Sequence, residues 1–284
     1  MSETQILSGV PETLLIPLYY RAMETQRPDA MIKDEKAVEL IKRLSADGST
    51  RYDFDWLEQT PMAEMNKVLR IMLTREMDRY TRDFLARHAG AVVVHIGCGL
   101  DSRFERVDNG QVEWFDLDFP EVIDLRRKLI GDEADFSGGR YHLLGCSILE
   151  PAWLEVVSTY STCLHHWHPF LFLAEGVFMY FEEAQVKALV LTLRDHFPGA
   201  KLVFDAWRPF EIWIGNLALG GLLHWGFWRG QELEGWGDGI HQLDEWGYFD
   251  RPEPRLHPFR WLAPVFRLLK PMRVFHFQLG EAVG

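Results

Sequence analysis

Over the first ninety residues, apolar positions recur three and four apart. Val68, Ile71, Met72, Met77 and Phe84 would share one face of a helix spanning Met65 to Phe84, and Asp34 to Leu44 has the same spacing. Pro28 and the Gly48-Ser49 pair break this helical region into pieces. From residue 91 the period changes. Ala91 to Ile96, with three consecutive valines, Val112 to Leu117, Pro169 to Ala174 and Lys201 to Phe204 are short apolar runs, with helical stretches at Pro120 to Leu129 and Glu182 to Asp195 among them. Buried strands alternating with helices predict a parallel α/β sheet covered on both faces. Arg273 to Leu279 reads as a final strand of the same sheet. No internal repeat or low-complexity linker interrupts the series.

With 284 residues the chain suits one large domain, or one domain with an appended cap. A hydrophobic content of 47% excludes wholesale disorder. The 42 acidic side chains outnumber 30 basic ones, and no run of Lys and Arg forms the basic stripe that phosphate binding needs, so nucleic acid is disfavoured as a partner. Cys98, Cys146 and Cys163 lack CxxC or metal-ligand spacing, which argues against a disulfide scaffold or structural zinc and for a reduced, cytoplasmic setting. The start, MSETQILSGVPETLL, lacks the basic flank and apolar run of an export signal. Ile212 to Trp228 is uncharged but short for a span and contains Asn216, His224 and four glycines, so no stable membrane insertion is expected.

The chemical signal lies at the end of the first strand, in VVVHIGCGLDSR, residues 92 to 103. Gly97 and Gly99 fall where a strand turns into a helix, a position at which glycine lets the backbone bend and a ligand approach it. An acid at the next strand tip, Asp116 or Asp118, stands about 20 residues on, where a carboxylate accepts hydrogen bonds from a ribose diol. A dinucleotide site wants a third glycine, and Ser102 occupies that position. A ligand with a ribose and no phosphates fits better, and S-adenosylmethionine is the commonest of these.

IGCGLDSRFERV followed by WFDLDFPEVIDLRRKL resembles the leucine carboxyl methyltransferase family, and within it the bacterial, tetracenomycin-like branch of polyketide O-methyltransferases. TLLIPLYYRAMETQRPDAMIKDEKA at 13 to 37, SILEPAWL at 147 to 154 and AEGVFMYF at 174 to 181 extend the resemblance over nearly the whole chain. It implies a Rossmann-like class I methyltransferase fold: a mostly parallel seven-stranded sheet with helices on both faces and a helical cap. The cap would take residues 1 to 88 and the core 89 to 284, with an aromatic-rich lid inserted at about 206 to 262. It further implies that Gly97 and Gly99 face the methionyl part of the cofactor, that Asp118 holds the ribose hydroxyls with Asp116 as fallback, and that Glu175 meets the cofactor's amino group. Where relatives place an acid and an apolar residue for the adenine, this chain has Ser147 and Ile148. A basic residue from the N-terminal helices would clamp the cofactor carboxylate, Arg75 first and Arg21 second. Arg103 is expected to brace the glycine loop.

Methyl transfer is an in-line displacement, so the enzyme's main contribution is to hold the acceptor behind the methyl group. A carboxylate needs no base at neutral pH, whereas a phenol does. His165, His166, His168, His224 and His241 offer no arrangement that singles out a base or a metal site, so no catalytic residue and no metal is assigned. Seven of the 11 tryptophans lie between Asp205 and Trp261, a segment expected to wall the acceptor pocket. The reading is an S-adenosylmethionine-dependent O-methyltransferase acting on a carboxylate or phenolic oxygen of a small aromatic or polyketide-like molecule, with a homodimer compatible. The alternatives are a nicotinamide-dependent enzyme, a protein C-terminal carboxyl methyltransferase and a catalytically silent binding module.

Overall fold

A computed structural model describes residues 12–46, 63–131, 139–163 and 169–281. Seven strands form one sheet in the order β3-β2-β1-β4-β5-β7-β6. They are β1 (Val92–Ile96), β2 (Glu113–Asp118), β3 (Tyr141–Gly145), β4 (Phe170–Ala174), β5 (Ala200–Ala206), β6 (Ile240–Trp246) and β7 (Arg273–Leu279). Strand β7 runs antiparallel to both β5 and β6, and the remaining pairs are parallel. This is the Rossmann-like class I methyltransferase sheet that the resemblance implies. Strands β1 and β4 are buried along their whole length, which is why their sequences are continuous apolar runs and not alternating ones.

Alternation along the central strands feeds two cores. On one face Val92, Val94, Phe172, Leu202 and Phe204 pack with Trp153, Leu154 and Val157 of helix α6 (Ala152–Cys163) and with Val186, Val190 and Leu193 of α7 (Glu183–His196). On the other, Val93, Leu171, Leu173 and Val203 meet Val68, Met72 and Met77 of α3 (Ala63–Arg87), Phe104 of α4 (Arg103–Val107) and Ile123 of α5 (Pro120–Leu129). The cap helices α1 (Glu12–Thr25) and α2 (Glu35–Ala46) bury Leu15, Leu18, Ala22, Ala37 and Leu40 against Leu100 and Leu125. They therefore sit at the carboxyl ends of the strands, where open α/β sheets bind ligands.

The segment between β5 and β7 differs from a continuous lid. It begins as α8 (Pro209–Leu219) and a short α9 (Gln231–Glu234), then returns to the sheet as β6, followed by a 3-10 stretch at Pro254–Leu262 and α10 (Ala263–Leu269). Trp225 packs among Phe204, Phe227 and Trp236 inside the core, and Trp246 is buried against Tyr248. Trp213, Trp228 and Trp261 are exposed. The segment contributes Trp207 and Leu223 to the cavity described below. No helix among the described residues is long and apolar enough to cross a membrane.

Candidate cofactor and acceptor site

At the end of β1 the chain reverses through Gly97 and Gly99, both with positive φ, 64° and 51°. The N–H groups of Gly97 and Cys98 donate to the Leu117 carbonyl at 2.7 and 3.2 Å, which ties the turn to the tip of β2. A Cβ on Gly97 would stand 2.4 Å from Cγ2 of Val177, so the glycine is required by both its φ and the loop that follows β4. Asp118 accepts the Gly99 N–H at 2.8 Å and the Phe119 N–H at 2.8 Å. Burial raises its pKa, against these two hydrogen bonds. Its carboxylate is partly accessible and keeps lone pairs for further donors.

Asp116, the alternative acid, has a different task. It is fully buried and accepts from Trp114 Nε1 at 2.8 Å, Tyr141 Oη at 2.5 Å and Arg126, with His95 Nδ1 at 3.2 Å. Arg126 also donates to the carbonyls of Gly99 and Asp101 at 2.7 and 2.9 Å, holding the glycine turn from below. Asp116 is therefore committed, and Asp118 is the strand-tip acid that remains open to a ligand.

The residues after the glycines, LDSRFER, form a latch between sheet and cap. Arg21 of α1 pairs with Asp34 at 2.8 Å and donates to the Leu100 carbonyl at 2.8 Å. Ser102 Oγ donates to Asp34 at 2.6 Å, and Arg106 bridges Asp34, Asp78 and Asp101 at 2.8, 2.8 and 2.7 Å. Arg103 pairs with Asp78 at 2.8 Å and with Glu175, bracing the loop as expected. Burial alone would raise the pKa of Asp34, Asp78 and Asp101, but Arg106 with Arg21 or Arg103 holds all three below the usual carboxylate range. Buried charges of this kind are tolerated only when paired.

Above the latch lies a cavity of about 300 Å³, at the small end of the roughly 300–1,000 Å³ usual for ligand pockets. It is lined by Gly97, Gly99, Glu175 and Arg21 and by Met179, Tyr180, Trp207 and Leu223, of which Met179, Trp207 and Leu223 pack in one apolar cluster. Glu175 accepts from Thr74 Oγ1 at 2.9 Å and from Arg103, so its negative charge is already supported from behind. Ser147 and Ile148 follow β3, next to the tip of β2, where Cys146 N–H donates to the Asp118 carbonyl at 2.9 Å. Asp118, Ser147 and Ile148 stand at the neighbouring strand tips outside the cavity lining. Ile148 is buried in the core, and Ser147 Oγ accepts the Leu149 N–H at 3.3 Å.

Arg75 lies elsewhere. Its guanidinium pairs with Glu253 at 2.9 Å and does not line the cavity. Arg70, five residues earlier on α3, lines it together with Ile71 and Thr74, and has no ion-pair or hydrogen-bond partner among the described residues. Five helical positions rotate a side chain by roughly 140°, so only one of the two arginines can face the sheet tips. The apolar stripe of α3, with Val68, Ile71 and Met72 flanking Arg70, was the available signal for this choice. Of the histidines, His95 lines the cavity but is held by Asp116 and Arg103. His165, His166 and His168 fall outside the described residues. No cluster of metal-ligating side chains occurs among the described residues.

The leucine carboxyl methyltransferase family model matches residues 15–194. The tetracenomycin polyketide synthesis O-methyltransferase TcmP of Streptomyces glaucescens is 32% identical, covering 97% of this chain and 97% of its own. An S-adenosyl-L-methionine-dependent methyltransferase of Gibberella zeae, dpfgK, is 30% identical over 74% of this chain and 70% of its own. Among solved structures, a candidate methyltransferase from Thermobifida fusca superposes with a TM-score of 0.59 at 16% identity, over 97% of this chain and 100% of that one. A DUF574-family protein from Streptomyces avermitilis gives 0.56 at 13% identity, over 96% and 99%. At such identities these two bear on the fold alone. The motif-bearing half of the chain, its full-length relative and its sheet order agree: the chain belongs to the leucine carboxyl methyltransferase family and is an S-adenosylmethionine-dependent methyltransferase.

Proposed function

We propose that the protein transfers the methyl group to an oxygen of a small aromatic or polyketide-like molecule, with a carboxylate oxygen preferred over a phenolic one. The observation that carries this reading is the mixed lining of the cavity, in which Arg70, Glu175 and the glycine turn are polar and Trp207, Met179 and Leu223 form an apolar cluster. The name of the S. glaucescens relative supports oxygen as the methylated atom.

The residues present fit S-adenosylmethionine. Asp118 has lone pairs left for a ribose diol and Glu175 for an ammonium, and Arg70, without a partner among the described residues, offers guanidinium N–H donors to a carboxylate; Arg21 holds the loop and contributes to the wall. Ser147 and the Ile148 backbone would flank the adenine. Gly97 and Gly99 let the methionyl part approach the backbone. When bound, the cofactor supplies an electrophilic sulfonium methyl. The chain's own contribution is positioning and the exclusion of water by the α1 and α3 cap. The one cavity-lining histidine among the described residues, His95, is committed to Asp116 and Arg103 and cannot act as a mobile base. This favours an acceptor that is already ionised, as a carboxylate with a pKa near 4 is at neutral pH. Two reduced cysteines, Cys98 and Cys146, suit a cytoplasmic enzyme.

Incubation with methyl-labelled S-adenosylmethionine and aromatic carboxylic acids or phenols tests the reading. The expected product is a methyl ester, recognised by release of methanol in base. A base-stable ether as sole product would move the preference to phenols, and label on nitrogen or carbon would refute O-methylation.

A further inference from the structure

Helix α8 presents an apolar side to solvent. Phe210, Trp213, Ile214 and Leu217 recur three and four apart, so they form one stripe along the helix. Phe210 is half-buried, and Trp213, Ile214 and Leu217 are exposed, Leu217 at 73%. The opposite side is the one that packs. Ile212 meets Met179 and Leu223, and a Cβ on Gly215 would stand 2.6 Å from Leu223 Cδ1 and 2.9 Å from Trp207 Cζ3. Helix α10 buries no residue and exposes Val265, Leu268 and Leu269, again three and four apart.

The two helices belong to one face. Phe210 stacks on Trp228 with ring centroids 6.0 Å apart, and Trp228 shares a cleft with Leu268 and Leu269. Arg208, the N-cap of α8, donates to the carbonyl of Trp228 and, at 2.7 Å, to that of Lys270, the residue that ends α10. Nine of the fourteen large apolar side chains exposed among the described residues lie in the segments 213–228 and 261–269. Scattered exposure needs no explanation, but a contiguous patch marks a binding surface.

The charge around the patch identifies what it fits. From Pro254 to Arg273 the chain carries Arg255, Arg260, Arg267, Lys270 and Arg273 and no acid, against a net charge of -12 for the whole. Arg229, Arg267 and Lys270 are exposed and have no ion-pair partner among the described residues. The nearby acids are engaged. Glu211 accepts the Arg208 and Met272 N–H groups, Glu232 accepts those of Trp228 and Arg229, and Glu245 and Asp250 pair with Arg273. An apolar stripe with exposed tryptophans and a cationic border is the pattern of a helix lying in the headgroup layer of an anionic membrane. At 11 and 7 residues, α8 and α10 are far too short to cross one. A second copy seated on the same face would set a cationic border against its own image.

We propose that the face formed by α8, Trp228 and α10 docks on an anionic lipid surface, with Trp213, Leu217 and Leu268 in the headgroup layer and Arg229, Arg267 and Lys270 on lipid phosphates. Trp207 and Leu223, packed under α8, line the cavity, so the docked face lies one helix away from it.

Cosedimentation of the full chain with vesicles tests this, using phosphatidylcholine alone and an equal mixture of phosphatidylcholine and phosphatidylglycerol. Binding to the anionic vesicles should be about 10-fold or more tighter than to the neutral ones, and should fall as salt rises from about 0.05 to 0.5 M. Arg229→Glu with Arg267→Glu should remove that preference. Trp213→Ser with Leu217→Ser should weaken binding to anionic vesicles about 10-fold or more, whereas Val156→Ser, at an exposed position of α6, should leave it within about 2-fold. All these positions are exposed, and S-adenosylhomocysteine affinity should stay within about 2-fold of the wild type as a check on folding; the wild type against the two vesicles decides alone if a variant does not fold. No binding to either vesicle, equal binding to both, or binding that the two double variants retain overturns the proposal. So does a wild-type dimer that Trp213→Ser with Leu217→Ser converts to monomer in sedimentation equilibrium, which would assign the face to a second copy.

Discussion

Arg21 in the first cap helix donates to the carbonyl of Leu100 at 2.8 Å while pairing with Asp34 at 2.8 Å, so the cap grips the cofactor loop through its backbone. Asp34 also caps the start of α2 through the Ala37 N–H and receives Ser102 and Arg106. Asp34→Asn would leave two buried guanidiniums short of a counter-charge. A loss of about 3 kcal/mol in urea unfolding is expected, with weaker S-adenosylhomocysteine binding. An unchanged unfolding midpoint would show that the latch does not hold the cap.

Gly97→Ala places a methyl group against Val177 and forces a non-glycine residue to φ 64°. The expected cost is about 1–3 kcal/mol in stability. Adding Val177→Ala should recover the steric part and leave the backbone part, a separation that a thermal double-mutant cycle reads directly. Simple additivity of the two losses would contradict the contact.

The two arginines of α3 should behave differently. Arg70→Met is expected to weaken S-adenosylhomocysteine binding by about 10-fold or more, the loss of a charge-assisted hydrogen bond. Arg75→Met removes a partly exposed ion pair with Glu253 and should change binding by less than about 3-fold. Calorimetry that ranks them in the opposite order would restore Arg75 as the clamp.

Asp34, Asp78 and Asp101 have folded pKa values depressed below their unfolded ones by Arg106 with Arg21 or Arg103. The unfolded chain therefore takes up protons first as pH falls. Their stabilisation is complete above the unfolded value of about 4 and is lost on going below it, through the folded values. Denaturant midpoints measured from pH 7 down to pH 3 should be flat to about pH 5 and then fall steeply. Asp34→Asn should reduce the steepness.

Asp205 has the opposite sign. With a folded pKa of about 6 against an ordinary 3.8, its ionisation destabilises the fold at any pH above the unfolded value, by up to about 3 kcal/mol at pH 8. Asp205→Asn should raise stability at pH 8 and give about half that gain at pH 5. An equal gain at both values would mean that Asp205 is not the titrating group.

The apolar runs of β1, β2, β4, β5 and β7 were legible because the sheet centre is covered on both faces. Strands β3 and β6 were not, because both lie at sheet edges. In β3 only alternate residues are buried, and β6, IHQLDEW, leaves most of its side chains accessible, so neither shows a continuous apolar run. The glycine turn and Asp118 could be read from local order along one strand, turn and helix. Arg70 could not be told from Arg75 by motif, since α3 has charges all around its axis, and helical phase decides which one faces the cavity. Trp207 alone of the seven tryptophans in its segment lines the cavity.

The most direct measurement is a crystal structure of the protein with S-adenosylhomocysteine. The expected density has its amino-acid end in the cavity beneath α1 and α3, with the amine at Glu175 and the carboxylate on Arg70, and runs out of it to the ribose hydroxyls on Asp118 at the neighbouring strand tip. An amino-acid end lying outside that cavity, or a carboxylate on Arg75 with Arg70 left free, would contradict the assignment.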